Sequence, residues 1–230
     1  MKLKVLTTCD NPKHEGYLRL KASLDKFGYD HEVIVHPFSF GHQLPVIRDW
    51  CNRYTGDATH ILYTDAFDTL AFAGLEEIEN KLDFIFYYEY VGWVNRMQVA
   101  KMLISCEKNC YPHPERAGNY PETSGPWKYV NGGGWIAEIE YFKQLCIKEN
   151  LNDQSHDQVW LMEAFLNNQQ DIKLDTNCEI FQTIAFSHKE EWDSINEHGY
   201  GENRFRNIGT STFPVFFHGN GHTDMGWLMK

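Results

Sequence analysis

No apolar run in this chain approaches the ~20 residues that a membrane-spanning helix needs, which argues against insertion into a bilayer. Positive charge is scarce too: 21 Lys and Arg stand against 32 Asp and Glu, a formal net charge of −11. That balance repels phosphate backbones, so broad electrostatic binding to nucleic acid is not expected, although a local basic groove stays compatible with it. An acidic protein that grips a polyanionic nucleotide commonly uses a metal to bridge like charges. Among six cysteines only Cys106 and Cys110 are closely spaced, and no second pair stands at zinc-site spacing, so free thiols are expected. The opening Met1-Lys2-Leu3-Lys4-Val5-Leu6 reads as a strand and not as a signal peptide. With reduced cysteines this implies a cytoplasmic protein, or one of the host cytoplasm if the source is viral. Internal repeats and linker-like stretches are missing, and 230 residues can bury one large core, so residues 1–230 are read as one domain.

What is present is an alternation of strand and helix patterns. Leu3 to Thr8 is apolar and β-prone, Asp10-Asn11-Pro12 is a turn, and Glu15 to Phe27 is amphipathic and closed by Gly28. His31 to His36 reads as a second strand, Gln43 to Tyr54 as a helix, and His60 to Tyr63 as a buried strand ending at Asp65. A helix over Leu75 to Leu82, a strand over Phe84 to Tyr88 and a helix near Gln98 to Ser105 are expected next. Glu107 to Lys128, with four prolines, reads as a long loop of the kind that covers a binding site. Beyond it the pattern predicts structure from Tyr129, helices over Ile139 to Ile147 and His156 to Leu166, and short strands near Ile172, Glu179 to Thr183 and Pro214 to Phe217. Such alternation predicts an α/β fold whose mostly parallel central sheet is covered by helices on both faces.

Four constellations carry chemistry. Asp65-Ala66-Phe67-Asp68 follows a strand, at the sheet end where α/β folds bind ligands. Its two carboxylates can face one hard cation such as Mg²⁺ or Mn²⁺; alternatively one Asp caps a turn and the other is solvated. The apolar run Pro214 to Phe217 leads into His218-Gly219-Asn220-Gly221, where His218 either completes a metal site or is structural. Asn131-Gly132-Gly133-Gly134 lets backbone approach a sugar or phosphate, or is simply a tight strand entry with Trp135 in the core. Ser155-His156-Asp157-Gln158 either presents a carboxylate to a sugar or serves a helix N-terminus.

Taken in order, Asp65-Ala-Phe-Asp68, Asn131-Gly-Gly-Gly-Trp-Ile136, Asp157-Gln158, Ile180-Phe-Gln182 and His218-Gly-Asn-Gly221 resemble the glycosyltransferase domain of procollagen lysyl hydroxylases and its collagen-galactosyltransferase relatives. Val5-Leu6-Thr7-Thr8 and Glu15-Gly16-Tyr17 resemble the family's opening, so the likeness spans nearly the whole chain. It implies a GT-A type, Rossmann-like fold and transfer from a UDP-sugar, with UDP-glucose or UDP-galactose favoured. It also implies Mn²⁺, with Mg²⁺ as the alternative, held by Asp65, Asp68 and His218. By the same resemblance Thr7 and Thr8 lie near the uridine and Phe67 stacks on the donor. Arg48 replaces a basic residue that contacts the nucleotide, and Asn131, Gly132, Gly133, Gln158, Gly219 and Gly221 belong to the donor-binding motifs.

Asp157 is assigned to the sugar site, and it or Glu89 is the carboxylate to test as base; Trp93 and Trp135 are candidate walls for a sugar ring. The chain departs from the family in the acidic run before Asp-Gln, here Ser155-His156, in Gly132 for a serine, and in the middle loop. The acceptor is expected to be a hydroxyl of a glycan, a hydroxylated protein side chain or a modified nucleobase. With Lys230 following soon after His218 and no hydroxylase domain, collagen is not the expected acceptor. The competing readings are glycosylation of a hydroxylated base of DNA, and a nucleotide-sugar hydrolase or binding module.

Overall fold

A computed structural model describes residues 1–37, 41–88, 100–184, 204–221, 223, 225 and 228. Strand β1 (Leu3–Cys9) leads to helix α1 (Glu15–Lys26), strand β2 (His31–Val35), helix α2 (Leu44–Arg53) and strand β3 (His60–Thr64). Strand β4 (Thr69–Ala71), helix α3 (Leu75–Tyr88) and strand β5 (Met102–Glu107) follow. A 3₁₀ turn (Pro114–Asn119) interrupts the predicted loop before strand β6 (Tyr129–Glu138), helix α4 (Ile139–Lys148) and helix α5 (Asp157–Asn167). Three short strands close the series: β7 (Ile172–Leu174), β8 (Phe181–Thr183) and β9 (Phe216–His218).

The main sheet runs β2-β1-β3-β6-β5-β7. The pairs β1/β2, β1/β3 and β5/β7 are parallel, and β6 alone runs antiparallel to its neighbours. Period-2 alternation distributes the apolar residues to two cores. Leu6, Ile61, Tyr63, Met102, Ile104 and Trp135 pack under α2, α4 and α5 through Ile47, Phe142 and Leu161. Val5, Leu62, Leu103 and Ile136 pack on the other face against Leu20 and Leu24 of α1, Ile78 and Leu82 of α3, and Phe216 of β9. This is the mostly parallel, doubly covered α/β sheet that the alternation predicts. Trp135 is fully buried, its ring 5.5 Å from that of Tyr63 and 4.9 Å from that of Phe142, so it is a core residue and not a sugar wall.

Two expected elements are corrected. The strand over Phe84 to Tyr88 is instead the continuation of α3, and the helix near Gln98 to Ser105 is instead β5, with residues 98 and 99 outside the described set. Both are short apolar runs, for which periodicity cannot separate a buried strand from a buried helix; β-ladder pairing with β6 and β7 decides β5. The six cysteines are free and buried.

A second sheet, β4-β9-β8, abuts the first and creates the site. Chain leaving β3 turns through residues 65–68 into β4, whose Thr69 is in register with His218 of β9. Gly16, at the start of α1, supports that turn from behind, because a Cβ there would lie 2.1 Å from the Phe67 carbonyl oxygen. His14 accepts the Gly16 amide at 3.1 Å and so caps α1 against the same turn.

Candidate metal and donor site

Three strand ends converge on one point. Thr64 of β3 is paired with Gly134 of β6, the Asp65 amide donates to the Gly133 carbonyl at 3.1 Å, and the Gly219 amide donates to the Asp68 carbonyl at 2.7 Å. These bonds place Asp65, Asp68 and His218 so that one ligand atom from each lies within 4.8 Å of the others. His218 Nε2 stands 3.3 Å from Asp65 Oδ2 and 3.5 Å from Asp68 Oδ1. Its Nδ1 donates to Asn131 Oδ1 at 3.1 Å, which directs Nε2 at the carboxylates. Burial alone would lower the imidazole pKa, but the Asp68 and Asp65 carboxylates overcome it and raise it to about 10.

The donor set suits a divalent cation: two carboxylate oxygens and one imidazole nitrogen, oriented by an outer amide. Gly133 makes the approach possible. A Cβ at this position would lie 2.0 Å from His218 Cε1 and 2.7 Å from Asp65 Oδ2.

The cluster forms the floor of a cleft of about 400 Å³, the size of small-molecule sites. Of the residues that the motifs single out, Asn131, Gly132, Gly133, Asp157, Gln158 and Gly221 line it. Gln158 Oε1 accepts the Gly132 amide at 2.7 Å, while its Nε2 donates to the Val130 carbonyl at 2.5 Å and the Tyr111 carbonyl at 3.2 Å. Asp157 is buried; desolvation pushes its pKa up to about 6 against the opposing pull of the Gln43 and Leu44 amides.

Other predicted residues lie behind the cleft wall. Thr7, Thr8, Arg48, Phe67 and Gly219 do not line it. Thr8 Oγ1 is 3.4 Å from Tyr63 Oη, which donates to Asp65 Oδ1 at 2.9 Å, so Thr8 reaches the Asp65 carboxylate through Tyr63. Phe67 packs on the His14 ring at 4.4 Å between centroids. The Arg48 guanidinium donates to the Leu151 carbonyl at 3.0 Å and pairs with Asp153 at 3.3 Å, away from the cleft. Glu89 and Trp93 lie outside the described residues.

Sequence reading gave no role to Glu107, Tyr63 and Tyr111, nor to His156 and Asn220 within their motifs, yet all five line the cleft. Burial pushes the Glu107 pKa up to about 7, against His218, Asn131 and Asn220, and its Oε2 accepts the Asn220 amide at 3.1 Å. The available signal was its position at the carboxyl end of β5, hidden once that run was taken for a helix.

A family model described as the PLOD GT domain matches residues 1–227. The chain belongs to the PLOD GT domain family. As a PLOD GT domain it is a glycosyltransferase. It is 24% identical over 238 residues to mouse procollagen-lysine,2-oxoglutarate 5-dioxygenase 2, covering 96% of this chain and 30% of that protein. With the Drosophila melanogaster procollagen-lysine,2-oxoglutarate 5-dioxygenase it shares 26% over 238 residues, again 96% of the chain and 30% of the relative. An uncharacterized protein of Acanthamoeba polyphaga mimivirus is 29% identical over 161 residues, 70% of the chain and 31% of that protein. The PLOD GT domain thus spans about a third of the length of these relatives.

Among solved structures, a glycosyltransferase involved in glycosylating the major capsid of PBCV-1 superposes with a TM-score of 0.50 at 11% identity, over 95% of this chain and 93% of that one. Mouse xyloside xylosyltransferase 1 does so with a TM-score of 0.50 at 14% identity, over 97% and 98%. These likenesses show a GT-A glycosyltransferase fold.

Proposed function

We propose that this domain transfers a hexosyl group from a UDP-sugar, glucose or galactose, to a hydroxyl acceptor, with Mn²⁺ held by Asp65, Asp68 and His218 and Mg²⁺ as the substitute ion. One observation carries the reading. The cleft has Asp65 and Asp68 at its floor and Glu107 and Asp157 in its walls, with no Lys or Arg among its described lining residues. These carboxylates outnumber the one positive charge that His218 brings, so a bound divalent cation would offset the repulsion that a diphosphate meets there. When bound, the ion supplies Lewis-acid stabilisation of the charge that develops on the departing diphosphate.

The chain's own residues supply positioning. Asp65 and Asp68 offer carboxylate oxygens on a turn fixed by the Gly133 carbonyl and the Gly219 amide. Asn131 holds the His218 ring, and Gly133 leaves the space that a side chain would fill. Gln158 is locked by hydrogen bonds to Gly132, Val130 and Tyr111 and lines the same cleft as the aspartates. Glu107 and Asn220 form a hydrogen-bonded pair that can engage sugar hydroxyls.

A panel of nucleotide sugars, each with Mn²⁺ and with or without candidate glycan, hydroxylysine-peptide and hydroxymethylated-DNA acceptors, tests this by release of UDP or GDP. Acceptor-stimulated UDP release from UDP-glucose or UDP-galactose is expected. Preference for GDP-sugars overturns the donor, and release at the full rate without acceptor overturns transfer in favour of hydrolysis.

A further inference from the structure

Asp157 makes contacts that a free catalytic base would not need. Its Oδ2 accepts the Gln43 amide at 2.6 Å and its Oδ1 accepts the Leu44 amide at 3.1 Å, so both carboxylate oxygens are engaged at the entry of α2. That entry has no cap of its own: Gln43 makes no side-chain capping bond, and no acidic residue stands in the first turn of α2. The missing cap comes from a residue 114 positions away. The arrangement is reciprocal. Asp157 opens α5, where His156 makes no side-chain capping bond, and the Asp157 amide donates to the Gly41 carbonyl at 2.6 Å. A further tie joins the same segments, His42 Nδ1 donating to the Ser155 carbonyl at 2.9 Å. Gly41 holds φ at +78°, and a Cβ on it would lie 2.7 Å from His156 Nε2, so the clasp closes only over glycine.

We propose that Asp157 is a positioning residue: its carboxylate clasps the start of α2 to the start of α5 and thereby fixes one wall of the donor cleft, including the adjacent Gln158 amide. Gly41, Gln43 and Leu44 from one side and His156, Asp157 and Gln158 from the other all line that wall. The clasp acts on how the donor is held and not on proton transfer. It rests on the reading of this cleft as a nucleotide-sugar site.

The test uses the full chain with Mn²⁺ and UDP-glucose, the donor that the panel above supports being substituted if it differs. For Asp157→Ala the donor KM rises by about tenfold, the scale of a lost helix cap, while kcat stays within about threefold of wild type. Amide exchange quickens in peptides covering residues 42–47. Asp157→Asn, which keeps one accepting oxygen, falls between wild type and Ala on both measures. Should Asp157→Ala not fold, Gly41→Ala opens the same clasp with the carboxylate intact and raises the donor KM in the same direction.

A loss of kcat of about 10²-fold or more with unchanged donor KM is what removal of a general base gives, and it overturns the proposal. So does an unchanged KM in Gly41→Ala. Failure of the wild-type chain to bind any UDP-sugar with Mn²⁺ is a different result, and it refutes the donor-site reading itself.

Discussion

Gly133→Ala places one methyl group where the structure has no room for it. Gly133 lies in the stretch of β6 where the ladder with β5 is interrupted, and it is held there by its carbonyl, which accepts the Asp65 amide at 3.1 Å, and by its amide, which donates to Asn131 Oδ1 at 3.1 Å. The backbone cannot withdraw without breaking those two hydrogen bonds. The new Cβ would start 2.0 Å from His218 Cε1 and 2.6 Å from its Nδ1, so the imidazole has to retreat by more than an ångström to reach ordinary contact. Overpacking of this kind costs about 1–3 kcal/mol. In a domain of this size each kcal/mol lowers Tm by about 2–4 °C. The larger effect falls on the cation. Moving the ring also breaks its bond to Asn131, and loss of such an outer-shell partner typically costs about 10–100-fold in metal affinity. Mn²⁺ titration by calorimetry, with thermal denaturation in Mn²⁺ and in chelator, measures both. Wild type gains Tm from Mn²⁺, and the variant gains much less. Unchanged Mn²⁺ affinity in a folded Gly133→Ala protein would refute the placement of His218 beside Asp65.

Asn131→Ala, which removes the acceptor for His218 Nδ1, weakens Mn²⁺ binding by about 10–100-fold in the same titration, with turnover partly restored at high Mn²⁺; an unchanged affinity denies Asn131 its orienting role. The pH dependence follows from His218, whose pKa rises from 6.5 to about 10 in the metal-free fold. The imidazolium's attraction to Asp65 and Asp68 stabilises the fold fully below pH 6.5 and is lost as pH climbs towards 10, so metal-free Tm falls across that window. Mn²⁺ displaces the same proton, so its affinity rises with pH between 6.5 and 9 and binding releases about one proton. Calorimetry in buffers of different ionisation enthalpy reads that release, and zero release contradicts His218 as a ligand.

Much of this molecule can be read from residue order alone, where tertiary pairing is not needed to decide. The run Ile61-Leu62-Tyr63 is apolar on both faces because β3 is central, and Leu20 and Leu24 share one face of α1. Of the second sheet, β8 and β9 are legible as short apolar runs, but β4 went unread: three residues are too few for any period to register, and its pairing with β9, which brings His218 to the aspartates, is a tertiary matter. The resemblance bridged that gap for His218 but not for Glu107, whose place at a strand end depends on recognising β5. Asp157 shows the complementary case: its sequence context allowed either a sugar contact or a helix start, and the structure shows its carboxylate serving a different helix from its own.

The most direct test of the central claim is calorimetry of UDP-glucose binding, with UDP-galactose in parallel, to wild-type and Asp68→Ala protein in Mn²⁺ and in EDTA. Binding to the wild type in Mn²⁺, lost in EDTA and lost in Asp68→Ala while the variant keeps a cooperative melt, is the predicted result. Equal affinity in Mn²⁺ and EDTA, or unaltered affinity in Asp68→Ala, would contradict a cation held by Asp65, Asp68 and His218 as the anchor of the donor.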